Sequence, residues 1–526
     1  MSAEVLAVPT RPSATPLPVA VIDIGTSSVR MAVAEIDADG RVKLLATLSR
    51  PATLGKDAFT RGIIEKGTIE DCVRVLKGYR HVLAEHNIDR PEQIRCVATS
   101  AVREAQNRLA FIDRIFTATG ISVQAIDEGE VNRLTYLGVL PLLKSSPELA
   151  GKRTVVVEVG GGSTELLVVQ DADVLFSHSY RLGSLRLREQ LETLRAPQAS
   201  TRKIMELQIH RVIEQILQQV SAETAQELIG LGGDLRFAAK QLIPDWTPEQ
   251  TVRLPVTRLE RLADALLSLN DDKLVHRYHV SFAEAATLGP ALLAYAQLCK
   301  AFQLPELVIS HVNLRDGLLN ELAARGVLSE DFVHQVVRSA IDLGKRFDFD
   351  ERHATHVAKL CRILFQSLRE DHRLDPRYEL LLSVAALLHE IGLYVSTGSY
   401  HKHTQYLINH SELFGLSRSD VQLVALAARY HRRSSPKPSH PLYAALDRNR
   451  RTAVAKMAAL LRVADALDAS RTQRLHELRL SREGGRLIIS VPQADDLSLE
   501  QLALKQSGTL FEETYGMPVL LRQLRT

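Results

Sequence analysis

Residues 19–33 read VAVIDIGTSSVRMAV, and residues 154–170 read TVVVEVGGGSTELLVVQ. Each is an apolar run, a short polar turn bearing glycine, and a second apolar run, the pattern of a β-hairpin. Laid over one another, Asp23-Ile24-Gly25-x-x-Ser28 matches Glu158-Val159-Gly160-x-x-Ser163 in acid, aliphatic, glycine and hydroxyl, about 135 residues apart. A repeat on this scale predicts two similar lobes, each opening on the same hairpin. Facing one another, they would form a cleft lined by both glycine turns.

Working outward, the periodicity predicts a helix over 68–86, the buried strand IRCVATS at 94–100 and a helix over about 107–119. A strand at ISVQAID (121–127) and a helix over 131–143 follow. Alternating strands and helices imply an α/β fold with helices covering a mixed sheet. The α/β signal stops after a helix expected at 314–325. Residues 330–475 then hold helical patterns such as HATHVAKLCRILFQSL, YELLLSVAALLHEIG and AVAKMAALLRVADAL. The tail returns to strands, with a hairpin around Gly484-Gly485 and a closing strand in GMPVLLRQL. The expected plan is a flexible leader (1–18), lobe I (19–142), lobe II (143–326), a helical domain (327–475) and a small β-containing cap (476–526).

Composition narrows the function. Of 526 residues, 65 are Lys or Arg and 62 Asp or Glu, so the net charge of +3 announces neither a nucleic-acid nor a membrane-surface protein. No run reaches the ~18 apolar residues of a membrane span. The proline-bearing leader has no apolar stretch suited to a signal peptide. Cys72, Cys96, Cys299 and Cys361 are scattered without metal or disulfide spacing, which fits a reduced, cytoplasmic protein. Charge is uneven, however: residues 401–475 carry thirteen Lys/Arg against five Asp/Glu, and nine of the eighteen histidines fall between His353 and His440.

Phosphate binding needs dense backbone N–H donors close to the ligand, which glycine permits. Gly160-Gly161-Gly162-Ser163-Thr164 and Asp23-x-Gly25-Thr26-Ser27-Ser28 both offer them, and Gly230-Leu231-Gly232-Gly233 is a third candidate. Phosphoanhydride cleavage also requires a cation on the phosphoryl oxygens and a group that orients water. Asp23 and Glu158, each two residues before a first glycine, can hold a hard cation such as Mg2+. Glu130, at the head of a helix, would face the same cleft, and Arg103, after a buried strand, would neutralise phosphate.

Six segments in order carry a resemblance: VAVIDIGTSSVRMAV, CVATSAVREAQN, IDEGEVNRLTYLGV, EVGGGSTEL, GLGGDLR and NLRDGLL. They resemble the successive motifs of the Ppx/GppA family of exopolyphosphatases and guanosine pentaphosphate phosphohydrolases. The stretch from LLHEIGLYV to AARYHRR is similar to the HD-like helical domain of the family's long form. The resemblance implies the two-lobed α/β fold of sugar kinases and actin-like ATPases, followed by an all-α HD-like domain and a small α+β cap. It implies Glu130 as the catalytic acid, with Arg133 and Leu134 after it, and Arg103 as the phosphate-binding arginine. The phosphate turns then fall on Gly25–Ser28 and Gly160–Ser163. Mg2+, a monovalent cation such as K+, and a homodimeric state are implied as well.

The chain departs from the family at three places. Glu158 stands where Asp is usual before the triple glycine. Val131 stands where a second acid usually follows the catalytic one. Asp234 stands where a hydroxyl usually follows the third glycine turn. In the helical domain, His356, His389-Glu390 and Asp465 occupy positions comparable to HD metal ligands, and Glu in place of Asp weighs against a working metal centre.

The reading is a hydrolase that releases terminal orthophosphate from linear polyphosphate. Glu130 and Glu158 would act in catalysis, and Asp23 and Glu158 would hold the metal. Lys402, Arg429, Arg432, Arg433 and Lys437 would hold distal phosphates. Guanosine pentaphosphate is the alternative substrate. A catalytically weak polyphosphate or alarmone sensor, and an ATP-using kinase of the same superfamily, are the competing classes.

Overall fold

The computed structural model describes residues 16–193, 198–222, 225–324, 329–432, 434–492 and 496–524. Most of the expected leader therefore lies outside the described residues, and its last two positions already belong to a strand. The chain divides into two compact units, residues 1–327 and 328–526.

The first unit holds two mixed sheets. One runs β3-β2-β1-β4-β5, from β1 (Leu17–Ile24), β2 (Ser28–Ile36), β3 (Val42–Pro51), β4 (Ile94–Ala98) and β5 (Val123–Ala125). The other contains β6 (Thr154–Val159), β7 (Thr164–Gln170), β8 (Asp173–Tyr180), β9 (Glu227–Leu231), β10 (Val252–Pro255) and β11 (Glu306–Ile309), in the order β10-β11-β9-β6-β7-β8. Read from the other end, β8-β7-β6-β9-β11 repeats β3-β2-β1-β4-β5. In both sheets an antiparallel three-strand meander is continued by two strands parallel to its first. The parallel joins of β4 to β1 and of β9 to β6 need crossovers, which contain Lys66–Glu85 in the first lobe and Gln198–Gln219 in the second. The repeat seen in two hairpins is thus a repeat of whole lobes.

The apolar run of β1 is continuous because both faces of the strand are covered. Ala20, Ile22 and Ile24 enter a core with Leu76, Tyr79, Phe111 and Ile115, whereas Val19 and Val21 enter another with Leu134 and Leu318. β3, at the sheet edge, is mostly exposed.

In the second lobe, helix Phe282–Ala301 is buried on most sides. Its Tyr295 hydroxyl accepts from the Val159 N–H at 2.7 Å and donates to the Leu231 carbonyl. One buried hydroxyl thus ties the ends of β6 and β9, where two of the glycine turns begin. Tyr295→Phe leaves both backbone groups unpaired and is expected to cost about 1–3 kcal/mol of stability. Denaturant midpoints check this, and an unchanged midpoint would mean the bridge carries no weight.

In the second unit, helices Glu351–Ser367, Arg377–Leu388, Arg418–Arg429 and Arg448–Leu467 pack together. Asp350, Ser417 and Asp447 cap three of them with side-chain oxygens on first-turn amides. β12 (Arg479–Glu483) and β13 (Arg486–Val491) form the expected hairpin, with Gly484 and Gly485 both at positive φ. β14 (Val519–Gln523) closes this sheet parallel to β13. Among the described residues, no helix is long and apolar enough to cross a membrane.

Candidate active site

The two hairpin turns close identically. The Gly25 N–H donates to the Ser28 carbonyl at 2.9 Å, and the Gly160 N–H to the Ser163 carbonyl at 2.8 Å. The second turn's carbonyls are satisfied from behind, Gly160 by the Ser184 amide and Gly161 by the Arg186 amide. Among the described residues, the amides of Thr26, Ser27, Gly161 and Gly162 have no backbone acceptor. The turns also meet: a Cβ on Gly161 would come within 2.9 Å of the Thr26 Cβ, and one on Gly162 within 2.5 Å of the Ser100 hydroxyl oxygen. These glycines are required by close approach across the cleft.

Where they meet, a cavity of about 170 Å³ opens between the lobes. Gly25, Thr26, Ser27, Gly160, Gly161 and Ser163 line it, joined by Gly232 and Gly233 from the third turn. Gly232 sits at φ 103°, conformational space that side chains rarely adopt, and leads into helix Gly233–Leu242. Three expected turn residues stay outside the wall. Ser28 is buried behind it, Gly162 packs on Phe59 and Ser100, and the Thr164 hydroxyl donates to the Leu182 carbonyl.

Asp23 and Glu158 both line the cavity, as expected. Asp23 Oδ2 is 3.6 Å from Arg30 Nη1, and its Oδ1 is buried without a hydrogen bond. Burial pushes the Glu158 carboxyl up, while nearby Arg236 and Arg30 pull it down. Arg103 also lines the cavity; it donates to the Ile126 carbonyl at 3.1 Å and keeps its Nε unpartnered. Asp234 is pushed up to about 6 by burial, against a hydrogen bond from the Thr287 hydroxyl.

Glu130 is not among the residues that line the cavity; both of its carboxylate oxygens accept from Arg133, at 2.8 and 2.9 Å, and Arg133 also binds Glu321. The neighbouring Val131 lines the wall instead. Asp127 caps the helix Glu128–Ser145 on the Glu130 amide, which fixes the helix phase and so decides which residue faces in.

Glu165 is a cavity acid that the sequence reading missed. It lies two residues after Ser163, whose hydroxyl donates to it at 2.6 Å. Burial raises its pKa to about 7, with the Glu158 charge adding to the rise and the Ser163 bond opposing it. Alternation along β7 could have flagged it, since Thr164 and Leu166 point away from Glu165.

In the second unit, His353 rather than His356 is the histidine that meets His389 and Asp465. His356 instead stacks edge-on against His476 along a separate groove. Lys402, Arg429 and Lys437 surround His440 closely enough to lower its pKa, after burial as the main cause. Arg432 lies over the Tyr400 ring at 4.9 Å, and Arg433 falls outside the described residues.

The two-lobed fold with a helical continuation has recognised relatives. The model of the Ppx/GppA phosphatase family matches residues 32–325, and that of Ppx/GppA phosphatase domain III matches residues 337–507. The chain belongs to the Ppx/GppA phosphatase family. It is 25% identical to a guanosine-5'-triphosphate,3'-diphosphate pyrophosphatase of Photobacterium profundum, over 96% of this chain and 98% of that one. An exopolyphosphatase structure from Cytophaga hutchinsonii is 22% identical, with TM-score 0.54, over 59% of this chain and 99% of that one. A solved exopolyphosphatase-like protein is 24% identical, with TM-score 0.53, over 60% and 99%. The first unit therefore has the two-lobed actin-like α/β fold, and the second contains the family's domain III.

Proposed function

We propose that the cavity hydrolyses a terminal phosphoanhydride, releasing orthophosphate from the end of linear polyphosphate. The observation that carries this reading is the meeting of two equivalent glycine turns in one cavity with buried carboxylates and Arg103. Turn amides and Arg103 would bind the terminal phosphoryl oxygens. Asp23 and Glu158 would hold Mg2+: the donor set is hard oxygen, and the buried, unpartnered Asp23 Oδ1 is suited to a cation. When bound, the ion would spread charge on the phosphoryl oxygens. Glu165, ionising near pH 7, would orient the water and take its proton.

Guanosine pentaphosphate is the second reading, favoured by the Photobacterium relative, which aligns over nearly its whole length. It offers the same terminal bond. Orthophosphate release from each substrate distinguishes the two. A KM that falls with polyphosphate length supports the first, and release from the nucleotide alone supports the second.

The metal assignment has its own test. Glu158→Ala should raise the Mg2+ needed for half-maximal activity by about tenfold or more, whereas Glu158→Asp, with the shorter acid usual in the family, should retain activity. An unchanged Mg2+ requirement in the alanine variant would make Glu158 structural.

A further inference from the structure

We propose that Arg186 is a positioning residue, which latches lobe I to the glycine turn of lobe II and so fixes an amide that this turn presents to the cavity. Its helix, Ser184–Thr193, follows strand β8 of the second lobe, yet its side chain reaches the first. The guanidinium lies over the Phe59 ring, 4.1 Å from the centroid, and its Nη2 donates to Glu104 Oε1 at 2.6 Å. Phe59 belongs to helix Leu54–Arg61, and Glu104 ends Ser100–Glu104, directly after Arg103. Arg181 donates to the other Glu104 oxygen at 2.9 Å, but it is exposed, whereas Arg186 is 9% exposed. Ion pairs of exposed side chains contribute little, so the buried arm carries the link.

The same guanidinium also serves the turn. Its Nε donates to the Gly162 carbonyl at 2.8 Å, beside the Ser184 amide on the Gly160 carbonyl and the Arg186 amide on that of Gly161. A peptide unit is planar and trans, so a carbonyl held on one side points the following N–H to the other. Fixing the Gly162 carbonyl therefore aims the Ser163 amide, and Ser163 lines the cavity and donates its hydroxyl to Glu165. The turn of lobe I is held from within its own lobe, where the Thr26 and Ser27 carbonyls accept from the Gly55 and Ala52 amides. The second turn instead depends on lobe I, through Arg186. The competing account is that backbone packing alone holds it. A Cβ on Gly183 would come within 2.4 Å of the Gly161 carbonyl oxygen, and on that account Arg186 adds nothing.

Hydrogen exchange on the full chain reads the latch without substrate, while its effect on turnover rests on the proposed phosphoanhydride hydrolysis. Glu104→Gln removes the charge that holds the guanidinium, and Arg186→Lys keeps a charge but loses the fork. In each variant the amides of Ser184 and Arg186 should exchange about tenfold faster than in wild type. Displacing the Ser163 amide should lower kcat for orthophosphate release by about tenfold to a hundredfold. KM should stay within a few-fold, because the turn of lobe I and Arg103 still hold the terminal phosphate. The double variant should lose little more than either single one, since both break the same link. Arg181→Gln should leave exchange and turnover as in wild type. Melting temperatures identify any variant whose fold has failed, and the folded one of the pair then decides. Unchanged exchange, unchanged kcat in an active enzyme, or an equal effect in Arg181→Gln would each overturn the role of Arg186. A wild-type chain that releases no orthophosphate would instead contradict the hydrolase reading, and exchange alone would then decide the latch.

Discussion

Glu165→Gln is expected to lower orthophosphate release by about 10²–10⁴-fold, the usual cost of losing a general base. Substrate affinity should stay within a few-fold, because the turn amides and Arg103 remain. The pH profile adds a readout that a structural role would not move. Burial holds the Glu165 carboxyl up to about 7, so the protonated, inactive form dominates below that value. Wild-type kcat/KM should therefore rise with pH through about 7, and that limb should vanish in the glutamine variant. A variant that keeps more than half the wild-type turnover would remove Glu165 from the mechanism.

Val131→Glu is expected to act in the opposite direction. The family resemblance implies an acid here, and Val131 lines the cavity whereas Glu130 is held by Arg133. A carboxylate restored to this wall would supply a second group to orient water, raising turnover by about 10–10²-fold. Glu130→Gln should instead act mainly on stability, since it leaves the buried Arg133 with a weaker partner. Turnover of both variants, measured beside their melting temperatures, checks the contrast. If Glu130→Gln abolished turnover without loss of stability and Val131→Glu changed nothing, Glu130 would regain the catalytic place that the resemblance implies.

The lobes were legible because their signal is local. Apolar runs broken by a glycine turn fix a hairpin wherever they occur, and finding that pattern twice implied the repeat that the strand orders show. The edge strand β3 escaped because its residues are largely exposed and its pattern mixes polar with apolar. Sites were harder, because a helix turns about 100° per residue and spacing alone does not choose the inward face. Glu130 and Val131 are adjacent, and the Asp127 cap together with the Arg133 pair decides between them. His353 and His356 are one turn apart on a single helix, and only packing against His389 and Asp465 selects the first. Tyr295 sits inside the apolar-rich helix FAEAATLGPALLAYAQLCKA, and no local pattern marks its role, since its two backbone partners lie far away in sequence.

Cleavage of terminal phosphoanhydrides in the cavity between the lobes is the proposed activity. The direct measurement is Mg2+-dependent orthophosphate release by the wild-type chain from polyphosphate of graded length and from guanosine pentaphosphate, run beside equilibrium binding of both. The expected result is release from polyphosphate that requires Mg2+, rises with pH through about 7 and falls by about 10² or more in Glu165→Gln. Tight binding of either substrate with no orthophosphate released, at any pH or Mg2+ concentration, would contradict it and identify the chain as a phosphoanhydride-binding protein.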